Sequence, residues 1–307
     1  MSYPIIELVT VEPIQLEPVG TKTKFWYIDE TGKNILFKEG RPQTGENWAE
    51  KVCCELCRIL GLPHAEYDLA YWHKVTGIKK GVITPSFVPD EPGARLVLGN
   101  ELLAKIVDNY EKNKRYRAKQ HTIRIVMAAA SLPVVELPIE WVAPPEIEDA
   151  AGLFTGYLLL DALVGNQDRH HENWGIIFLP EKGVFFSPTF DHASSLGRNE
   201  QDPTRREMLV TKDRGRSVEA YVRRAKSAFY STRFPSKRLM TLEAFEEAAK
   251  IRPDAARYWV AKLAEIDLRK HREILDKIPN QEISAPARDF AYRMLELNTA
   301  RILQTQS

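Results

Sequence analysis

Along the first 90 residues the apolar positions fall into short alternating runs, which predict strands around a single helix. Residues 5–9 and 13–16 predict strand pieces. Residues 24–28 and 34–38 flank Asp29-Glu30-Thr31-Gly32-Lys33, which predicts a hairpin turn. In residues 46–60, Trp48, Val52, Leu56, Ile59 and Leu60 recur at three- and four-residue spacing, and Gly61 stands at the C-cap position, so this segment predicts a helix. Residues 65–72 and 80–88 predict further strands.

The polar run Pro89-Asp90-Glu91-Pro92-Gly93 then marks a boundary, and helical patterns dominate after it. Residues 146–164 predict a long apolar helix with Pro144 and Pro145 at its start, where proline is tolerated. Residues 241–250 predict a helix with Thr241 as N-cap; Ala244 occupies the place where a capping box needs an acid. Residues 254–266 and 287–303 predict two more helices. Between the 146–164 and 241–250 helices, the apolar runs 174–179 and 184–186 flank Pro180-Glu181-Lys182-Gly183, a hairpin in helical surroundings. The expected fold is α+β and two-lobed, protein-kinase-like in outline. Residues 1–90 form a strand-rich lobe and residues 91–307 a mainly helical one. Two lobes joined by a thin connector leave a cleft, where ligands usually bind.

Composition narrows the function classes. The 43 Lys and Arg against 42 Asp and Glu give a net charge of +1, so no global charge points to nucleic acid or membrane. The three cysteines, Cys53, Cys54 and Cys57, share one short stretch, which is no disulfide framework. Cys54-x-x-Cys57 lacks a second cysteine pair that would complete a metal site, so these thiols are expected to be buried on the helix. The N-terminus has no basic, then apolar, leader pattern and no run approaches the ~18 residues of a membrane span. A cytoplasmic protein is expected.

The densest chemistry lies in Asn166-Gln-Asp168-Arg-His170-His171-Glu-Asn173-Trp174-Gly175, between the long apolar helix and the hairpin. Asp191 follows the hairpin. Phosphoryl transfer from ATP needs a carboxylate for the attacking hydroxyl, oxygen donors for magnesium, and a lysine, fixed by an acid, for the phosphates. Asp168 and Asn173 have the D-x-x-x-x-N spacing of a kinase catalytic loop. Asp191 stands where a second metal-binding carboxylate belongs. Lys38 ends a strand and Glu50 lies on the next helix, with Glu46 and Glu55 as competitors for its role. Gly20, Thr21, Lys22, Thr23 and Lys24 lie between strand candidates, where a phosphate-covering loop belongs, although G-x-G-x-x-G is absent. Phe87 and Val88 occupy the hinge facing an adenine.

With Asn166-x-Asp168-Arg-His170-x-x-Asn173-Trp174-Gly175, the later Pro188-Thr-Phe-Asp191, and the Glu50 helix ending Leu60-Gly61-Leu62-Pro63, the chain resembles the HipA-like serine/threonine kinases, bacterial toxin-type kinases with a phosphatidylinositol kinase-like fold. The resemblance runs from about Gly20 to the C-terminus. It implies Asp168 as the catalytic carboxylate, Asn173 and Asp191 as magnesium ligands, and Lys38 as the ATP lysine partnered by Glu50. It implies ATP and Mg2+ as cofactors, a protein substrate such as a tRNA-handling enzyme, and an antitoxin or other inhibitory partner. Only about 20 residues precede the loop, so the extra N-terminal subdomain of longer members is not expected. No DNA-binding module is evident, so direct DNA contact is not expected.

Three alternatives differ in class. A small-molecule phosphotransferase could share the core. A non-catalytic nucleotide-binding module is a second. The third is a dinuclear metal hydrolase built from His170, His171 and His192 with Asp161, Asp168 and Asp191. H-E-x-x-H is absent and His170 and His171 are adjacent, so these histidines are expected to brace the loop instead. Finally, residues 204–238 hold eleven Lys and Arg against three acids. That strip is either a face for an acidic or RNA-bearing partner or a solvated, internally paired surface. Neutralising Asp191 is expected to abolish activity and spare the fold, its partner being a metal ion.

Overall fold

The computed structural model describes residues 1–16, 23–115, 117–234 and 236–306. Gly20, Thr21 and Lys22 of the expected phosphate loop lie outside the described residues.

The N-terminal lobe is a six-stranded sheet. Its strands are β1 (Ile5–Leu8), β2 (Gln15–Leu16), β3 (Lys24–Ile28) and β4 (Asn34–Glu39), then, after helix α1 (Glu46–Leu60), β5 (Asp68–Lys74) and β6 (Gly77–Pro85). The spatial order is β1-β5-β6-β4-β3-β2, with β1 parallel to β5 and the other pairs antiparallel. The predicted turn between β3 and β4 is closed by Asp29, whose Oδ1 accepts from the Thr31 and Lys33 N–H groups. The inward residues Phe25, Tyr27, Ile35, Phe37 and Trp72 form this lobe's own core.

The two strands expected at 65–72 and 80–88 are displaced, because the chain reverses at Val75-Thr76. Val75 and Ile78 are exposed apolar residues at that reversal, so hydrophobicity marks the wrong ends. Helix α1 starts and stops where its periodicity predicts, and Gly61 takes the left-handed conformation (φ 75°) that a C-cap needs. Ile59 is the exception to its apolar stripe and is 38% exposed.

The C-terminal part begins with β7 (Arg95–Leu98), α2 (Gly99–Ile106), α3 (Ile123–Ala130), β8 (Val135–Glu136) and α4 (Ala150–Val164). The hairpin β9 (Gly175–Leu179) and β10 (Gly183–Phe186) lies inside a four-stranded sheet of order β7-β9-β10-β8. Then follow α5 (Asp202–Val210), α6 (Val218–Arg223), the ribbon β11 (Lys226–Tyr230) and β12 (Arg238–Met240), and helices α7 (Thr241–Ile251), α8 (Pro253–Glu265), α9 (Leu268–Asp276) and α10 (Ala285–Leu303).

Helix α4 is buried on every side, as a helix apolar all round must be. It begins later than predicted. Asp149 is its N-cap and accepts from the Gly152 N–H (2.8 Å), so Pro144 and Pro145 precede the helix rather than open it. In α7, Met240 rather than Thr241 is the N-cap. That shift puts Glu243 at the capping-box position, where its carboxylate accepts from the Met240 N–H at 2.8 Å. Helix α1 belongs to the core of the C-terminal part: Trp48, Val52, Leu56 and Leu60 join one apolar cluster with Phe154, Leu158 and Trp259. The strand-rich lobe is therefore anchored through its helix. No helix among the described residues is long and apolar enough to cross a membrane.

Candidate active site

A cavity of about 330 Å³ opens between the six-stranded sheet and the helical part. Lys38, Glu50, Asp168 and Asp191, named from sequence, all line it, with Lys24, Arg41, Arg115, His170, Ser194 and Arg198.

The first wall is built by β4 and α1. Strand alternation turns Lys38 away from the core that Phe37 fills. Lys38 is 13% exposed and its Nζ donates to Asp191 Oδ1 at 2.9 Å. Gly81 on β6 permits the close approach of the two strands here, since a Cβ there would lie 2.3 Å from the Lys38 carbonyl oxygen. Glu50 is buried, and its Oε1 accepts from the His192 N–H at 3.0 Å while Oε2 has no hydrogen-bond partner. Glu50 thus faces the Lys38–Asp191 pair without bonding Lys38. Its competitors are engaged elsewhere: Glu46 with Arg41 and Arg198, Glu55 with Lys51 and Arg58.

The second wall is the 166–175 loop. The left-handed Gly165 (φ 66°) ends α4 and turns the chain into it. Arg169 folds back as a buried post. Its guanidinium donates to both oxygens of Asp161 on α4 (2.9 and 2.8 Å) and to the Asn173 carbonyl (3.0 Å). Asn166 Nδ2 also donates to Asp161, and Asn166 Oδ1 accepts from the Asp168 N–H. Asn173 Nδ2 donates to the Asp168 carbonyl at 2.7 Å, which orients its amide. Asp168 is thereby held at both ends with its carboxylate on the cavity.

Electrostatics separates the two aspartates. Burial, then the nearby Asp191 charge, raises the Asp168 carboxyl to about 6. Burial would also raise Asp191, but the Lys38 and Lys24 ammonium groups outweigh it and hold that carboxyl well below the usual range. Burial opposes the charge on Lys38, yet Asp191, Tyr67 and Glu50 keep it firmly protonated. Burial raises Glu50, with Lys38 pulling the other way. Asp191 also sits at φ 59°, a left-handed conformation that Asp tolerates better than most residues.

Other expected residues are placed less directly. Asn173 is buried and does not line the cavity. Thr23 accepts, through its carbonyl, from the Glu39 N–H; Lys24 rather than Thr23 reaches the cavity. Phe87 stacks on Phe190 with ring centres 5.4 Å apart. The Val88 N–H and carbonyl both engage the Ser86 hydroxyl. Neither hinge residue lines the cavity.

His170 and His171 brace the loop, and His192 braces the segment after the hairpin. The Glu172 N–H donates to His170 Nδ1, His171 Nδ1 meets the Tyr110 hydroxyl at 2.8 Å, and His192 Nε2 meets Thr189 Oγ1 at 2.7 Å. Among the described residues they form no compact metal-ligand cluster with Asp161, Asp168 and Asp191, so nothing in their placement favours the hydrolase alternative. Burial, then Arg115, depresses His170 to about 3, so it stands neutral beside Asp168.

Sequence reading missed a polar chain across the cavity. Arg198 Nη2 donates to Ser194 Oγ (2.9 Å), Ser194 Oγ donates to Asp168 Oδ2 (3.3 Å), and Arg198 Nη1 pairs with Glu46 at the start of α1. Its only local sequence mark is Ser194-Ser195 soon after Asp191. In the basic strip the paired reading prevails for Arg205, Arg216, Arg223 and Lys237, which meet Asp202, Glu207, Glu219 and Glu243.

The family model of the HipA-like C-terminal domain matches residues 16–266. The chain belongs to that family. No curated protein sequence matches it. As a HipA-like chain it shares its fold with the proinflammatory kinase CtkA of Helicobacter pylori (TM-score 0.75, 20% identity, 98% of this chain and 96% of that one). It is also similar to HipA of the Shewanella oneidensis MR-1 toxin–antitoxin system, solved with HipB and operator DNA (TM-score 0.58, 15% identity, 96% and 67%). The fold is thus the two-lobed α+β, kinase-like one.

Proposed function

We propose that this HipA-like chain transfers the γ-phosphoryl group of ATP to a serine or threonine hydroxyl of a protein, with magnesium. The observation that carries this is the convergence of Lys38, Glu50, Asp168 and Asp191 on one cavity, with the two carboxylates pushed to opposite protonation behaviour. Two aspartates whose environments separate them in this way have separable roles.

The residues suit the nucleotide and its metal. Asp191, on the cavity wall, is a hard oxygen donor of the kind magnesium takes, and the Asn173 amide, buried against the Asp168 carbonyl, is the second such donor. Glu50 Oε2 is a buried acceptor without a partner, ready for a cation. Bound magnesium-ATP supplies the transferable phosphoryl group and neutralises its charge. Lys38 exchanges Asp191 for the phosphate oxygens, and Glu50 then holds its ammonium. Asp191, already ionised beside Lys38, would hold the metal without a change of charge state. Asp168 orients the acceptor hydroxyl and takes its proton; a carboxyl near 6 is a better base at neutral pH than an ordinary one. Ser194 and Arg198 hold that carboxylate in place. An adenine at Val88 would take over backbone groups now held by Ser86. The boundary near residue 90 separates the two parts that grip the nucleotide. By analogy with Shewanella HipA, an inhibitory protein partner is expected.

The test is incubation with γ-labelled ATP, magnesium and a bacterial lysate, with Asp168→Asn and Asp191→Asn in parallel. Label entering a protein band, as phosphoserine or phosphothreonine, and falling at least about 100-fold in both variants supports the reading. ATP binding without transfer in any lane overturns it in favour of a non-catalytic module.

A further inference from the structure

A second cluster of chemically active side chains lies outside the cavity. Cys54 stands one turn after Glu50 on α1 and is buried. His64 and Glu66 follow in the segment between α1 and β5. The donor atoms of these three residues all lie within 4.8 Å of one another. Cys54 Sγ is 3.5 Å from Glu66 Oε2, and His64 Nε2 is 3.4 Å from Glu66 Oε1. Zinc bond lengths of about 2.0–2.3 Å place neighbouring tetrahedral ligands roughly 3.3–3.8 Å apart, so the His64–Glu66 separation suits one ion, with the Cys54 thiol close beside it.

Two further observations point to a ligand. His64 is 10% exposed, and its Nε2 is buried without a hydrogen-bond partner. Its other nitrogen, Nδ1, lies 2.7 Å from the Leu62 carbonyl. That contact fixes the proton on Nδ1 and leaves the Nε2 lone pair directed at the cluster, the usual outer support of a metal-binding histidine. The Arg58 guanidinium meets Glu66 Oε2, which leaves Oε1 as the ligating oxygen.

We propose that Cys54, His64 and Glu66 form a binding site for a single zinc-class divalent cation, with a fourth position open to water. Thiolate with imidazole selects zinc over magnesium or calcium. The position gives the site a structural consequence. His64 forms a β-bridge with Thr189, two residues before Asp191, and the Ala65 N–H donates to the Thr189 carbonyl. The Tyr67 N–H donates to Cys54 Sγ, and the Tyr67 hydroxyl accepts from the Asp191 N–H. An ion here staples α1 to the segment that carries Asp191, at a site separate from the nucleotide cavity.

The test is titration of the full chain with Co2+, read by the thiolate-to-cobalt absorption band, followed by displacement with Zn2+. The expected result is one equivalent bound with that band. The band is lost in Cys54→Ala, and affinity falls at least about tenfold in His64→Gln and Glu66→Gln. Cys57→Ala, which alters a neighbouring buried thiol outside the cluster, keeps the band. Glu66 is 53% exposed, so Glu66→Gln folds and decides the matter if Cys54→Ala does not. Absence of the band, or binding unaffected by Glu66→Gln, overturns the proposal.

Discussion

Asp168 was legible from its spacing to Asn173, but its protonation behaviour was not. That behaviour depends on burial and on Asp191, 23 residues away in sequence. The consequence for stability has a definite sign. A carboxyl raised from its ordinary value to about 6 favours the folded state while protonated. The contribution is complete below the unfolded value and is lost as pH rises through about 6. Asp168→Asn removes that penalty. Thermal melting without nucleotide should show the variant more stable than the parent by about 2–4 °C near pH 8, with the gain vanishing near pH 4. Equal gains at both values would refute the assignment of burial and like charge as the cause. Lys38 and Glu50 were also legible as candidates, but the direct partner of Lys38 was not. Asp191 holds it, since pairing is decided by which anion the fold brings within 3 Å.

Among elements, periodicity located α1 to the residue because one face is apolar and a glycine stops it. It misplaced the start of α4, where Asp149 caps later than the prolines suggest, and it slid β5 and β6 along their hairpin. Helices α2, α3, α5, α6 and α9 carry shorter or weaker patterns and were not foreseen. The 166–175 loop owes its shape to a buried ion pair that no local pattern reveals. Arg169 and Asp161 are both almost fully buried, eight residues apart across the end of α4. Removing one partner of such a pair leaves an uncompensated buried charge. Arg169→Ala should therefore cost about 3–5 kcal/mol in chemical denaturation and loosen Asp168 with it. Arg169→Ala paired with Asp161→Ala should lose much less than the sum of the single losses. Additive losses would show the pair to be dispensable to the loop.

At the scale of the molecule, Lys38 and Asp191 tie the six-stranded sheet to the chain beyond the β9–β10 hairpin. This revises the expectation that neutralising Asp191 spares the fold. Its carboxylate is the counter-ion of a nearly buried ammonium as well as a candidate metal ligand. Asp191→Ala should lower stability by about 1–3 kcal/mol, and Lys38→Met added to it should restore part of that loss. Unchanged denaturation midpoints in Asp191→Ala would contradict the lobe-tying role. The sequence by itself determined the two-part α+β organisation, because strand and helix periods are local properties of a chain. It also offered Asp168, Asn173, Asp191 and Lys38 as candidates, the first two from spacing within one short loop and the others from the order of strand, helix, loop and hairpin. Only the tertiary structure decided that Asp191 neutralises Lys38, that Ser194 and Arg198 hold Asp168, and that Cys54, His64 and Glu66 meet. Each of these depends on the distance between separate elements and on burial that strengthens charge. Neither quantity is written in the order of the residues.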